Sequence, residues 1–182
     1  NDSITFNDAT TLNAGIALST GAGAGTIAFN STLDGTQTLS LTAGTGNIDF
    51  DGVVGGTALG AVTVVSVVDL GADAAFSAAS FTQTAGTGTT TFDGAVTTTA
   101  IAGVSITGTN LALNSTINTT NSGVVFTDLS GTATIAAAGV ITADGAVTLD
   151  ADLGITTSAD ITTTNDSITF NDATTLNAGI AL

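Results

Sequence analysis

Five segments of the chain share one pattern of apolar and polar positions: ITFNDATTL (4–12), IAFNSTLDG (27–35), IDFDGVVGG (48–56), TTFDGAVTT (90–98) and LALNSTINT (111–119). Each reads as a short alternating strand, an Asn or Asp, a small residue and a second strand. A period of two marks a half-buried strand, so Ile4 and Phe6 are expected to point inward and Thr5 outward. The Asn/Asp positions are Asn7, Asn30, Asp51, Asp93 and Asn114, at spacings of 23, 21, 42 and 21. The 42 is twice 21, which places one decayed copy of the signal near residue 72. Phe6, Phe29, Phe50 and Phe92 precede these positions in the same register, with Leu113 in the fifth place.

Further strands are expected at AVTVVSVV (61–68), SFTQT (80–84), VSITG (104–108), VVFT (124–127), TATI (132–135), VIT (140–142), AVTLD (146–150), ITT (155–157) and ITTT (161–164). GAGAG (21–25), AGTGN (43–47), AGTGT (85–89) and ADG (143–145) read as turns between some of them. Short strands that recur at this spacing predict an all-β fold, a parallel β-helix or β-solenoid. Rungs would stack ~4.8 Å apart. Phe would lie on Phe inside, and Asn or Asp on its counterpart at a corner. Tolerance of left-handed backbone and local hydrogen bonding suit Asn and Asp to such corners.

A longer repeat encloses this one. NDSITFNDATTLNAGIAL occupies residues 1–18 and again 165–182. Residues 1–164 are therefore expected to form one tandem unit and 165–182 to begin the next. At about 20.5 residues per rung the unit holds about eight rungs, with seven as the competing count, and eight rungs advance ~38 Å.

Composition sharpens this picture. The chain has no Lys, Arg, His, Cys, Met, Trp, Tyr, Pro or Glu, and its fifteen acidic residues are all Asp, giving a net charge of −15. Yet 43% of residues are hydrophobic and the mean hydropathy is +0.52, unlike a disordered polyanion. Val, Ile, Thr and Phe favour strands. With no cation to neutralise phosphates, nucleic acid is not an expected partner. The longest aliphatic stretch, 61–68, is far shorter than the ~20 residues of a spanning helix, and no Trp or Tyr is present to build the girdles of a membrane barrel. Membrane insertion is not expected. Exposed strand edges are commonly protected by Lys or Pro, and both are missing. The expected partners are further copies of the same repeat end to end, with lateral bundling of the resulting fibres.

ITTTNDSITFNDATTL, LTAGTGNIDFDG, FTQTAGTGTTTFDGAVTTT and TIAAAGVITADGAVTL resemble the very large repetitive surface proteins of bacteria, related in style to the filamentous haemagglutinin family. The resemblance covers essentially the whole chain and rests on composition and repeats. It implies a right-handed parallel β-helix, export to the cell surface, and a role in adhesion or in an extracellular fibre or coat.

Little chemistry is expected. General acid–base and nucleophilic catalysis draw on His, Glu, Lys, Cys or Tyr, and only Ser, Thr and Asp remain, so the chain is read as no enzyme and as needing no cofactor. Asp49 and Asp51 stand two residues apart, as do Asp150 and Asp152. Such pairs suit the two carboxylates of a glycosidase, but a sugar-cleaving groove also uses aromatic and cationic contacts. Solubilising surface charge is the preferred reading. The same four residues are the candidate ligands for Ca²⁺, a hard cation that favours oxygen, held loosely. Thr runs at 89–91, 97–99 and 161–164 recur too irregularly for an ice-organising array and read as ordinary strand surface. The expected function is a structural unit of a long extracellular filament. The alternative is an adhesin shaft with a sugar- or calcium-binding surface.

Overall fold

A computed structural model describes residues 2–177 and 179–182. Asn1, with which the first copy of the repeat begins, and Ala178 in the second lie outside the described residues. The described chain contains strands and turns and no helix, and therefore none long and apolar enough to cross a membrane.

All strand pairs are parallel. The chain winds into a β-solenoid of about eight coils with three faces. The first face is a nine-stranded sheet that opens with Ile4–Phe6, Ile27–Phe29, Ile48–Phe50 and Leu70–Ala72 and continues through Thr89–Phe92 to Thr174–Leu176. The second face carries Thr10–Thr11, Leu33–Asp34, Val96–Thr98, Ile117–Thr119, Ile141–Ala143 and Ile161–Thr163. The third carries Ile16–Ser19, Leu39–Thr42, Val104–Gly108, Val125–Leu129, Val147–Leu149 and Ile168–Phe170. Two long strands, Val54–Ser66 and Phe76–Gln83, run from the second face onto the third and join them into one sheet. Their pairing shifts register at Phe76/Ala78, a bulge that turns the corner without ending the strand.

Along the first face the stacked residues are Ile4, Ile27, Ile48, Leu70, Thr90, Leu111, Ala133, Ile155 and Thr174, at steps of 23, 21, 22, 20, 21, 22, 22 and 19. The decayed copy near residue 72 is therefore a full coil. It keeps the acidic corner as Asp73, whose N–H donates to Phe50 O at 3.0 Å. It has Ala72 where the neighbouring coils have Phe50 and Phe92.

Inward positions alternate with outward ones on each face, and the alternation breaks in the long strands, where Ser80 and Phe81 are both buried. Phe6, Phe29 and Phe50 stack face to face, with ring centroids 4.8 and 5.4 Å apart. Several buried threonines are satisfied by bonds to corner carbonyls, and Thr90 Oγ1 donates to Gln83 Oε1 at 2.8 Å inside the core. Thr20 Oγ1 donates to Gly25 O at 2.8 Å and Thr157 Oγ1 to Ala159 O at 3.0 Å. Thr98 is fully buried and its hydroxyl has no hydrogen-bond partner. Thr98→Val keeps the shape and removes the orphaned hydroxyl, so it is expected to leave the melting temperature unchanged or raise it, by about 1 kcal/mol of stability at most. Thermal denaturation followed by circular dichroism checks this.

The corners depart from expectation in one respect. Asn7, Asn30, Asp51, Asp93 and Asn114 do not use left-handed backbone. Among the described non-glycine residues only Asn121, Ser122 and Asn165 do, with φ of 56, 59 and 68°. These lie between the second and third faces, where Gly103 (φ 55°) serves the same turn. A side chain at Gly103 would put its Cβ 1.9 Å from Val124 O on the next coil. The predicted column instead bonds its N–H groups to the coil below: Asn30 N donates to Phe6 O at 2.9 Å and Asp51 N to Phe29 O at 3.0 Å.

Candidate functional site

Two columns of polar side chains stand at the corners flanking the first face. The column after it is Asn7, Asn30, Asp51, Asp73, Asp93 and Asn114, continued by Ala136, Ser158 and Asn177. Side chains bond along it: Asn30 Nδ2 donates to Asn7 Oδ1 at 2.9 Å, and Asn114 Nδ2 to Asp93 Oδ1 at 2.7 Å. The column before the first face was not legible in the pattern. There Asn47 Oδ1 accepts from Asp69 N at 3.2 Å, Asp69 Oδ1 from Thr89 N at 2.8 Å, and Asn110 Oδ1 from Thr132 N at 2.9 Å. Elsewhere Asp34 Oδ1 accepts from Thr57 N and Asp144 Oδ2 from Ser122 N. A corner frees backbone N–H groups from the strand ladder, and an acceptor side chain on the neighbouring coil satisfies them. An ammonium group carries no acceptor. The abundance of Asp and the absence of Lys thus have a structural use.

The first predicted pair sits on these elements. Asp49 points outward from Ile48–Phe50, whose two apolar side chains are buried. Its strand neighbours are Ala28 and Gly71. A Cβ on Gly71 would stand 3.8 Å from both Asp49 Oδ1 and Asp73 Oδ1, so this bare position brings the two carboxylates near each other. Asp51 follows the strand, exposed at the corner. Partial burial pushes the Asp49 carboxyl above the ordinary carboxylate range, and the negative charges of Asp51, Asp73 and Asp69 push it further the same way.

A carboxyl whose pKa is raised by folding destabilises the fold wherever it is ionised. That cost is fully present above the raised folded pKa. It disappears as pH falls through that value to the lower unfolded one. Mild acidification from about pH 7 toward about pH 4 is therefore expected to relieve it. Asp49→Asn is expected to raise the melting temperature at neutral pH and to flatten the dependence. Melting curves of both proteins across this range check the slope, and parallel slopes would contradict it.

The second predicted pair is joined by a third residue. Carboxylate oxygens of Asp150, Asp152 and Asp172 all lie within 4.8 Å of one another, and this is the only such acidic group of three among the described residues. Asp150 Oδ2 accepts from Asn171 Nδ2 at 3.0 Å, and Asp172 Oδ2 from Ala151 N at 2.7 Å. Sequence reasoning missed Asp172. The signal was present, because Asp172 stands one coil beyond Asp150 and Asp152. Asp49 and Asp51 do not join this group. Three carboxylates from two coils offer oxygen ligands of the kind hard divalent cations take.

The two ends of the coil stack differ in character, one mainly apolar and the other mixed. A recess at one end is lined by Phe6, Leu12, Ile16, Leu18 and Phe29. The recess at the other sets Ile168, Phe170 and Leu182 beside Thr162, Asn165 and Asp166. Leu12 is 8% exposed, whereas Leu176, its identical counterpart in the second copy, is 49% exposed. The sequence matches no known family model, and no curated protein or solved structure matches it either.

Proposed function

We propose that this chain is a structural unit of a long extracellular bacterial filament or surface coat, with a mechanical and protective role. One observation supports this above the others. The second copy of the repeated segment continues the coil stack with no linker, as Ile168, Thr169 and Phe170 pair with Val147, Thr148 and Leu149. The apolar recess at the Phe6 end, and strand edges that carry no Lys or Pro at either end, fit receipt of a further coil. The partners of this reading are more units of the same kind, end to end, with fibres bundling side by side. Its resistance would come partly from composition. With no Lys or Arg, trypsin has no cleavage site, and with no Cys, Met, Trp or Tyr, oxidants lack their easiest targets.

Electron microscopy of the native material, before and after incubation with trypsin, tests the proposal. The expected result is filaments that survive undigested. Globular particles, or rapid fragmentation, would overturn it.

The carboxylate triad favours a second reading, an adhesin shaft whose anionic surface associates with Ca²⁺. A rise in melting temperature on adding Ca²⁺, lost on chelation and in Asp172→Asn, would support that reading. Equal melting with and without Ca²⁺ would remove it.

A further inference from the structure

The two copies of NDSITFNDATTLNAGIAL do not lie on the same faces. In the first copy, Ile4–Phe6 is on the first face, Thr10–Thr11 on the second and Ile16–Ser19 on the third. In the second copy, Ile168–Phe170 extends the third face by pairing with Val147–Leu149, and Thr174–Leu176 extends the first by pairing with Gly154–Thr157. Ile161 N then donates to Ala181 O, which brings the end of the second copy onto the second face. Every strand of the segment has moved back by one face.

The displacement follows from the coil lengths. From Ile4, seven full coils along the first face lead to Ile155. Two more sides, reached at Ile161 and Ile168, lead to the equivalent residue. Seven coils of three sides plus two make twenty-three sides, a third of a coil short of eight. Keeping Ile168 on the first face would need the coil that starts at Ile155 to close already at Ile168. The shortest coil on that face runs well past this point, from Ile155 to Thr174.

The segment tolerates this because its pattern does not depend on the face. Apolar–x–apolar triplets at near-even spacing fit any side. The Ile and Phe positions keep the same half-buried pattern in both copies, and Phe6, Ile168 and Phe170 pack against the core.

We propose, resting on the tandem reading above, that successive units are each turned by one face about the fibre axis, so that three units make one structural repeat. The second copy also shows what covers the apolar recess beside Phe6. By its pairing, Val147 and Leu149 of a preceding unit lie over Ile4 and Phe6, Thr157 over Leu12 and Ile161 over Leu18. The unit would advance ~37 Å and the full repeat ~110 Å at the usual strand spacing. Leu153 and Ile101, which are 75% and 71% exposed, would then recur on all three sides in a screw, presenting the same apolar contacts to neighbours in every lateral direction.

Two measurements test this. The chain has no cysteine, and paired residues on adjacent parallel strands stand within disulfide reach. Thr148→Cys with Thr169→Cys, neighbours across the join on the third face, is expected to form an intramolecular bridge on oxidation. Thr156→Cys with Thr169→Cys, which would meet only if the segment returned to the first face, is expected to stay reduced. Bridging of the second pair, or of neither, overturns the displacement. In helical reconstruction of filaments, the expected symmetry is a rise of ~37 Å with a turn of one face. Filaments that repeat by pure translation of ~38 Å would overturn this inference and leave the tandem reading standing. The absence of filaments would overturn the tandem reading, and this inference with it.

Discussion

Phe50→Ala is expected to destabilise the solenoid by about 3–5 kcal/mol, seen as a lower urea midpoint. The ring is buried, stacked on Phe29 with centroids 5.4 Å apart, and set edge-on to Phe76 at 5.5 Å. Removing it loses transfer energy and both ring contacts, and leaves a cavity. The cavity cannot close by drawing the coils together, because the backbone holds their spacing on both sides. Asp51 N donates to Phe29 O and Asp73 N to Phe50 O, each at 3.0 Å. Each coil also touches only its neighbours, so a defect here weakens the coupling between the parts of the stack above and below it. Phe170→Ala provides the contrast. That side chain is half-buried in the last described coil, so its loss is expected to cost well under half as much. Equal drops in the two midpoints would contradict this account of the core.

What could be read in the sequence was what repeats in one column. The register of Phe6, Phe29, Phe50 and Phe92 with their following Asn or Asp was legible because period-two alternation and a nearly constant step both survive there. So was the all-β solenoid, since a column of that spacing with strand formers between its members and no helical stretch fits stacked coils of short strands. The acidic column before the first face was hidden because its acceptors, among them Asn47, Asp69 and Asn110, serve backbone groups of the next coil and carry no apolar marker. Asp172 was overlooked although the coil period pointed to it, because it stands one coil from Asp150 and Asp152 and outside their two-residue spacing. The displacement of the second copy could not be read from a mean rung length. Coils as short as that from Ile155 to Thr174 and as long as that from Ile117 to Ile141 blur eight coils with seven and two-thirds. Only strand-by-strand pairing separates them.

The decayed coil at residue 72 leads to the second large effect. Restoring the column with Ala72→Phe is expected to destabilise the protein by about 1–3 kcal/mol, although it improves the sequence repeat. Ala72 lies between Phe50 and Phe92 on the first face, and the space an aromatic ring would fill there is already occupied. Phe76 and Phe81, from the long strand that crosses the second and third faces, carry the aromatic chain through the gap. Phe50 meets Phe76 at 5.5 Å, Phe76 meets Phe81 at 5.5 Å and Phe81 meets Phe92 at 5.4 Å, all edge-to-face. The stack on one face thus passes across the core and returns, and the missing ring in the column is replaced by volume from the opposite walls. A core near close packing has no room for an additional ring. Removing one of the substitutes should restore the balance, so Ala72→Phe combined with Phe76→Ala or Phe81→Ala is expected to be more stable than the two single changes added together. The coupling should fall within the ~0.5–3 kcal/mol range of contacting residues, measurable by urea denaturation of the four proteins in each cycle. Additive effects would mean that the gap at Ala72 and the rings of Phe76 and Phe81 are independent features. Coupling would show that the gap at Ala72 and the rings of Phe76 and Phe81 share one space in the core.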